Sequence, residues 1–330
     1  MDARSAVAAL AAVLAVGVTA GCGDGRGGAH PDADIGAAEF RERNLEWRQR
    51  RLERLTEPYG WLSLIGLVIL DSGTVLTVGS APGSDIAVPR GPARWGTLRV
   101  AGDGRSAAFD VAQPGGGVTV DGQPGPGGEL SVDDEPTRVE AAGIRVHLVD
   151  PGGQLALRIR DPEAPTRQRF AGLDYFGLDP SWRVDAAFQP HPAGRTIRVA
   201  NVMGQLIDEP NPGRVRFTRN GQTITLEAVL ADDEDELFFI FADRTSGRET
   251  YGLGRFLYAE LPVDGRVILD FNQAYNPPCA FNAYTTCPLP PPGNRVDAEI
   301  RAGEKEYAGE AGTRTPRPVS DPVARELDRF

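Results

Sequence analysis

Carboxylate, guanidinium and amide side chains are concentrated late in the chain, between residues 243 and 305. Arg255 and Asp270 stand near the ends of two predicted neighbouring strands. We expect them to form an arginine–carboxylate pair, which is the natural way to hold charge in a partly buried site. The remaining side chains of this stretch that we expect to contact a ligand are Tyr251, Asn272, Tyr275 and Asn276. Together they suit a few directed hydrogen bonds in a concave binding site.

A second charged cluster closes the same stretch, where Glu304 precedes Lys305, the only lysine of the chain. Lysine supports nucleophilic or Schiff-base chemistry that arginine does not. The alternative is a surface ion pair or a cap at the last turn of the domain. Asp270 and Glu304 are also candidates for an acid and a base, which would suit glycoside-like hydrolysis at a separation of roughly 5 to 10 Å. The candidate catalytic residues are therefore Asp270, Glu304 and Lys305.

The loop from Tyr275 to Pro292 contains six prolines and two cysteines. Proline lacks a backbone N–H, so this segment cannot be a regular helix or a central strand. A long, stiff loop needs specific contacts to be ordered, and ordered loops on a rigid scaffold often carry function. The loop either forms part of a site or only plugs one end of a barrel or sandwich.

Cys279 and Cys287 are an even pair once Cys22 is assigned to lipid, as argued below. In an oxidising compartment such a pair predicts a disulfide, here closing a nine-residue loop. A zinc site would need two further ligands, and the spacing matches no zinc signature. A thiol–histidine pair is a weaker alternative. We expect neither a metal nor a cofactor.

Several segments of this stretch share a pattern with a known family. They are Tyr251-Gly252-Leu253-Gly254-Arg255, Leu269-Asp270-Phe271-Asn272, the segments NPPCAF (276–281) and CPLPP (287–291), and the closing AGEK (302–305). An earlier Trp47-Arg48 and Gly60-Trp61-Leu62 fit the same pattern. The run resembles the uncharacterised bacterial domain-of-unknown-function family 1684 over roughly residues 38 to 305. The resemblance implies a shared fold and a shared, unassigned function.

The elements that position these residues are predicted to be mostly strands. The chain has 40 glycines and 27 prolines, which break helices and mark turns. After Pro58 the apolar residues alternate with period two in short runs, and Asn220-Gly221 is a strong hairpin signal. One amphipathic helix is predicted from Ala38 to Leu55, with Phe40, Trp47 and Leu55 near its apolar face. The expected fold class is mainly β, with two sandwich- or barrel-like modules and an N-terminal amphipathic helix.

The predicted segments follow from these patterns. They are a signal peptide (1–21), a flexible tether (22–37), an N-terminal module with the helix (38–165), a C-terminal module with the proline-rich loop (166–305) and a mobile tail (306–330).

The N-terminus has the pattern of an export signal. The apolar run from Ala6 to Val18 is long enough for a signal peptide and too short to span a bilayer. Small residues lead from Thr19 into Cys22, which resembles a lipobox in which the cysteine becomes lipidated. The expected location is extracytoplasmic, with lipid on Cys22 joining the chain to the cell membrane. An ordinary secretory signal cleaved nearby is the alternative.

Charge and absent motifs exclude several classes of function. The net charge of −11 makes nucleic acid an improbable partner, because an acidic chain repels phosphate backbones. No nucleophile elbow, phosphate-binding loop or H-E-x-x-H zinc helix occurs in the sequence. The leading hypothesis is a tethered protein that binds a small molecule or a cell-wall ligand. A hydrolase of new type and a purely structural envelope protein are the alternatives, so the sequence does not decide whether the chain is an enzyme.

Overall fold

The computed structural model describes residues 29–133, 135–231 and 235–310. It contains one long helix, α1 (Ala37–Thr56), and one short helix, α2 (Pro165–Gln168). The strands before α2 are β1 (Leu64–Ile69), β2 (Val75–Gly79), β3 (Ile86–Ala87), β4 (Gly96–Val100), β5 (Ala107–Val111), β6 (Thr119–Val120), β7 (Gly127–Leu130), β8 (Val139–Ala141), β9 (Ile144–Val149) and β10 (Ala156–Arg160). The strands after it are β11 (Arg183–Pro190), β12 (Thr196–Ala200), β13 (Leu206–Pro210), β14 (Gly213–Arg219), β15 (Gln222–Leu230), β16 (Glu236–Phe241), β17 (Arg255–Glu260) and β18 (Arg266–Asp270). The prediction of a mainly β protein with a helix near its N-terminus is confirmed.

The N-terminal β module is formed by two five-stranded sheets. One has the order β1-β10-β9-β8-β6 and the other the order β3-β2-β4-β5-β7. A single apolar core joins the two sheets and contains Leu98 and Phe109 from one, and Val146 and Leu157 from the other. Because side chains alternate along a strand, the residues between these core positions on β9 and β10 lie on the opposite face of their sheet.

The C-terminal β module is a six-stranded antiparallel sheet with the order β17-β16-β15-β14-β11-β18. Its two edge strands, β17 and β18, approach each other, so the sheet curls into a nearly closed barrel. Phe239, Phe241 and Phe271 fill the interior. The β12–β13 hairpin packs on the outside, where Val199 joins an apolar cluster with Phe256.

Helix α1 packs on the C-terminal module, although the sequence grouped it with the N-terminal one. Its buried residues are Phe40, Asn44, Arg51 and Leu55, spaced to lie on one face. Asn44 donates to Asp270 and Arg51 donates to Glu304. Arg51 is buried on this face, because a carboxylate of the C-terminal module, Glu304, meets it there.

The proline-rich loop lies between the two β modules. Tyr275 pairs with Phe256 of β17, and Pro288 pairs with Asn201 beside the β12–β13 hairpin. The amide of Asn282 donates to the carbonyl of Leu64 on β1 at 2.7 Å. These contacts place the loop where the modules meet, so it is ordered by interactions with both.

Several predicted segments lie partly or wholly outside the described residues. The signal peptide and the lipobox with Cys22 are outside them, as are residues 311–330 of the predicted tail. At the start of that tail, Tyr307 packs against Phe170 and Phe281, with ring centroids 5.8 and 4.9 Å apart. Within the predicted tether, His30 is buried and its backbone N–H donates to Asp185 at 3.2 Å.

Candidate functional site

Arg255 is held in the protein interior and does not pair with Asp270, so the expected arginine–carboxylate pair is wrong. Its guanidinium meets the Asp243 carboxylate at 3.3 Å, with 1% and 0% of the two side chains exposed. It also donates to the carbonyls of Ile300 and Ala302. The pairing differs because Asp270 lies on the other edge strand and faces α1. Arg255 therefore fastens the 300–304 segment to the barrel.

Asp270 and Asn272 form a capping arrangement at the end of β18. One Asp270 oxygen accepts from the backbone N–H and the side-chain amide of Asn272, at 3.0 and 2.8 Å. The other accepts from Asn44 of α1 at 3.0 Å. Asn272 is fully buried and also exchanges two hydrogen bonds with the Asp179 backbone. Both side chains therefore hold the fold together at this point.

Glu304 is fully buried, and both of its oxygens accept hydrogen bonds. Arg51 Nε donates to one oxygen at 2.9 Å, and the Asn276 backbone N–H donates to the other at 2.8 Å. The Asn276 side chain donates to the Lys305 carbonyl at 2.7 Å. Lys305 itself points to the surface, where its Nζ lies 4.0 Å from Asp174. Of the two roles left open for Lys305, this geometry matches the surface ion pair.

Cys279 and Cys287 are adjacent and free in this structure, so the predicted disulfide is not present. The backbone N–H of Cys279 donates to Cys287 Sγ at 3.1 Å. The hydrogen bond to Cys287, together with burial, raises the pKa of the Cys279 thiol. Burial acts to raise the pKa of Cys287 as well, but its hydrogen bonds with Cys279 and Thr285 outweigh burial and lower that pKa. The nearby Tyr251 hydroxyl donates to the Cys279 carbonyl at 3.2 Å, and burial raises its pKa.

A cleft of about 1090 Å³ opens beside these residues, between α1, the N-terminal module and the β16–β17 edge of the barrel. Its aromatic walls are Trp47, Tyr59, Trp61, Phe256, Tyr258 and Tyr275. Its lining arginines are Arg50, Arg51, Arg54 and Arg160. The lining also includes two carboxylates, Glu57 and Glu236, and a cleft that combines aromatic walls with placed polar groups is typical of sites for small molecules.

Tyr275 is the predicted ligand-binding residue that lines this cleft. Its ring stacks on Tyr258, with centroids 6.3 Å apart, and meets Phe256 edge to face at 5.8 Å. The Arg51 guanidinium lies 4.6 Å from the Tyr275 ring centroid. Burial raises the pKa of the Tyr275 hydroxyl well above its ordinary value. The other predicted ligand-binding residues do not line the cleft; they are Tyr251, Arg255, Asp270, Asn272 and Asn276.

Behind Trp61 lies a group of basic side chains on the outward face of β9 and β10. His147 and Arg158 are directly opposite each other in the ladder, as are Arg145 and Arg160. The guanidinium carbons of Arg158 and Arg160 lie 5.2 and 5.5 Å from the Trp61 ring centroid. Like charges directly opposite across two strands destabilise a sheet, so this arrangement is costly for the fold.

The environment of these groups disfavours positive charge. Burial and the nearby Arg158 and Arg145 lower the pKa of Arg160 to about 10. Burial and the surrounding arginines lower the pKa of His147 to about 3. Arg145 differs, because Glu140 accepts a hydrogen bond from its Nε at 2.7 Å. Among the described residues, no carboxylate forms an ion pair with Arg158 or Arg160.

The sequence analysis missed this basic face, although its signal is visible. On β9 and β10 the residues that alternate with the core positions include three arginines and one histidine, and no carboxylate. They are Arg145, His147, Arg158 and Arg160. The arginines of α1 that line the cleft gave no such signal, because the helix carries basic residues around most of its circumference.

Fold and site define a mainly β protein with two β modules and a small-molecule-sized cleft between them. Residues 168–305 match the family described as protein of unknown function (DUF1684), and the chain belongs to this family. The match confirms the resemblance noted from the sequence, although it begins at residue 168 and not at residue 38. No curated protein matches the chain.

Solved structures similar to this chain include the solution NMR structure of the uncharacterized protein from gene locus rrnAC0354 of Haloarcula marismortui. It is 33% identical, covers 42% of this chain and 78% of its own, and has a TM-score of 0.36. Among the described residues, no helix is both long and apolar enough to cross a membrane. No cluster of three or more potential metal-binding His, Cys, Asp or Glu side chains occurs in the described ranges.

Proposed function

We propose that this chain is a lipid-anchored extracytoplasmic protein that binds a small organic molecule with a planar or apolar body in the cleft beside α1. The observation that carries the proposal is the cleft itself, about 1090 Å³ in volume and walled by six aromatic side chains. This volume slightly exceeds the usual range of roughly 300 to 1000 Å³ for sites that bury a drug-sized ligand. Aromatic walls contribute apolar contact and ring stacking to such a ligand.

The cleft includes part of the region from which the sequence predicted ligand binding. Phe256, Tyr258 and Tyr275 supply one wall, and they are positioned by β17 and by the start of the proline-rich loop. The hydrogen bond from Asn282 to Leu64 fixes the loop against the other module. A preformed wall of this kind lowers the ordering cost of binding. This favours a binding protein over a purely structural envelope protein.

No observation on the described residues favours the hydrolase alternative. Asp270 and Glu304 contact α1 at Asn44 and Arg51, which are seven residues and therefore about 10 Å apart along the helix axis. Each carboxylate already accepts hydrogen bonds on both oxygens. A general acid or base must be free to reach the proton it transfers.

Binding is tested with N-phenyl-1-naphthylamine, an uncharged aromatic probe whose fluorescence rises in apolar sites. The wild-type chain is expected to bind it with one-to-one stoichiometry. Tyr258→Ala removes an aromatic wall residue that is 41% exposed. Loss of the ring is expected to weaken binding about fivefold, corresponding to about 1 kcal/mol.

Leu206→Ala is the matched control, because Leu206 is 63% exposed and lies on β13, away from the cleft. It is expected to leave the dissociation constant unchanged. A wild-type chain that does not bind the probe, or binds it equally well after Tyr258→Ala, contradicts the proposed site. The anchor is tested separately: Cys22→Ser should move the chain from the membrane fraction to the soluble fraction of expressing cells.

A further inference from the structure

Two arginines beside the cleft, Arg158 and Arg160, form no ion pair with a carboxylate of the described residues. Arg158 and Arg160 alternate along β10, so both point away from the core of the N-terminal module. Their Cα atoms are about 6.6 Å apart at strand spacing. Arg160 lines the cleft, and Arg158 lies beside it against the same Trp61 ring. We call Arg158 and Arg160 the basic pair.

The basic pair has hydrogen-bonding capacity to spare. Arg160 uses Nη1 for the carbonyls of Tyr59 and Gly60, at 2.6 and 2.8 Å. Arg158 makes no hydrogen bond to the described residues, and its Nε is buried without a partner. A guanidinium has five donors in a planar fork that matches an oxyanion. A buried donor left without an acceptor costs about 1–3 kcal/mol, so this arrangement lowers the stability of the folded protein.

His147 adds a second, independent sign of a missing ligand. It is 7% exposed, lies directly opposite Arg158 on β9, and its Nδ1 has no partner among the described residues. Burial lowers the pKa of Arg158, and the electrostatic interaction with Cys287 partly offsets this effect. No carboxylate of the described residues forms an ion pair with Arg158 or Arg160, and the carboxylates that line the cleft are Glu57 and Glu236.

We infer that the basic pair and His147 form a subsite for the oxyanion of the ligand, so that the molecule bound in the cleft is an organic anion. Its carboxylate, phosphate or sulfonate accepts hydrogen bonds from Arg158 and Arg160, while its apolar body lies against the aromatic walls. This inference rests on the proposed function, because it assigns the charged end of the same ligand. It explains why like charges persist on adjacent strands.

Two probes that differ by one sulfonate group test the subsite. 1-Anilinonaphthalene-8-sulfonate carries a sulfonate on the ring system of N-phenyl-1-naphthylamine. Arg158→Met removes the charge and keeps an unbranched, shorter side chain, and it breaks no hydrogen bond to the described residues. We expect it to weaken binding of the sulfonate probe about 30-fold, and binding of the uncharged probe less than twofold. Measurements are made with reducing agent present, so that Cys279 and Cys287 stay as thiols.

Two controls separate the subsite from general charge and folding effects. Arg99→Met removes one positive charge from an exposed pair with Asp110 and should change neither dissociation constant. Arg158→Lys keeps the charge without the planar fork and should restore part of the affinity for the sulfonate probe. Near-ultraviolet circular dichroism establishes that each variant is folded.

Failure of this inference is distinct from failure of the proposed function. If Arg158→Met leaves the affinity for both probes unchanged, the oxyanion subsite is wrong while the cleft remains a binding site. If it weakens both probes equally, the variant has damaged the cleft walls and the charge assignment is also wrong. If neither probe binds the wild-type chain, the proposed function itself is wrong.

Discussion

The imidazole of His147 is buried on β9 among arginines, and its pKa is lowered to about 3 from an ordinary value of 6.5. Burial is the main cause, and the charges of Arg160, Arg158 and Arg145 add to it. In the unfolded chain these contacts vanish, so the unfolded state takes up a proton as the pH falls below 6.5 while the folded state does not. Stability is therefore complete above pH 6.5 and falls steadily between pH 6.5 and pH 3.

The size of this effect follows from the two pKa values. At pH 5 an unfolded-state pKa of 6.5 and a folded-state pKa of about 3 give a loss of about 2 kcal/mol relative to pH 7. Below pH 3 the loss reaches about 5 kcal/mol, the full difference between the two states. Either value is a substantial fraction of the total stability of about 5–15 kcal/mol of an ordinary domain.

The assay is urea unfolding at pH 7 and pH 5 for the wild-type chain and for His147→Gln, whose side chain cannot be protonated. Carboxylates that titrate in this range are the same in both proteins, so their contributions cancel in the comparison. The wild-type free energy of unfolding should drop by about 2 kcal/mol more than that of the variant. Equal drops in both proteins would refute the reasoning, because they would mean that His147 is solvated enough to be protonated in the folded state.

Three further predictions concern the structural parts of the predicted site. Asp243→Asn leaves the Arg255 charge buried without its partner and should cost about 3–5 kcal/mol in urea unfolding; a cost below about 1 kcal/mol would contradict the buried pair. Oxidation by a small disulfide reagent should join Cys279 and Cys287, raise the free energy of unfolding by roughly 2.6 kcal/mol and abolish thiol titration with Ellman's reagent, whereas two persistent thiols would show that the sulfurs cannot meet. Gly303→Ala should lower the melting temperature by more than about 5 °C, because Gly303 has φ +80° and a Cβ there would lie 2.3 Å from the Ala274 carbonyl; an unchanged melting temperature would contradict this packing.

The strands and the hairpin were predictable because their signals are local. Gln222–Leu230 and Ile144–Val149 form strands, as the alternation of their apolar residues indicates. Asn220 and Gly221 both adopt positive φ, 50° and 77°, as a two-residue hairpin turn requires. These features depend on neighbours along the chain, so the sequence alone is enough to locate them.

The pairing of charged groups was not predictable, because it depends on how distant elements meet. Arg255 and Asp270 both end up at strand termini as expected, but the barrel places Asp243 next to Arg255 and α1 next to Asp270. Nothing in the composition of α1 distinguishes the buried Arg51 from the exposed Arg50. Only the position of Glu304, 253 residues further along the chain, selects it.

That distant contact also constrains the order in which the molecule is assembled. The polar groups on the inner side of α1, Asn44 and Arg51, find their acceptors on Asp270 and Glu304. During synthesis the helix is therefore made long before the surface that receives it. The ribosome must release nearly the whole folded region before α1 can dock, and a chain cut short before residue 304 leaves a buried arginine with no counter-charge. Truncated products are consequently poor at reaching the native state.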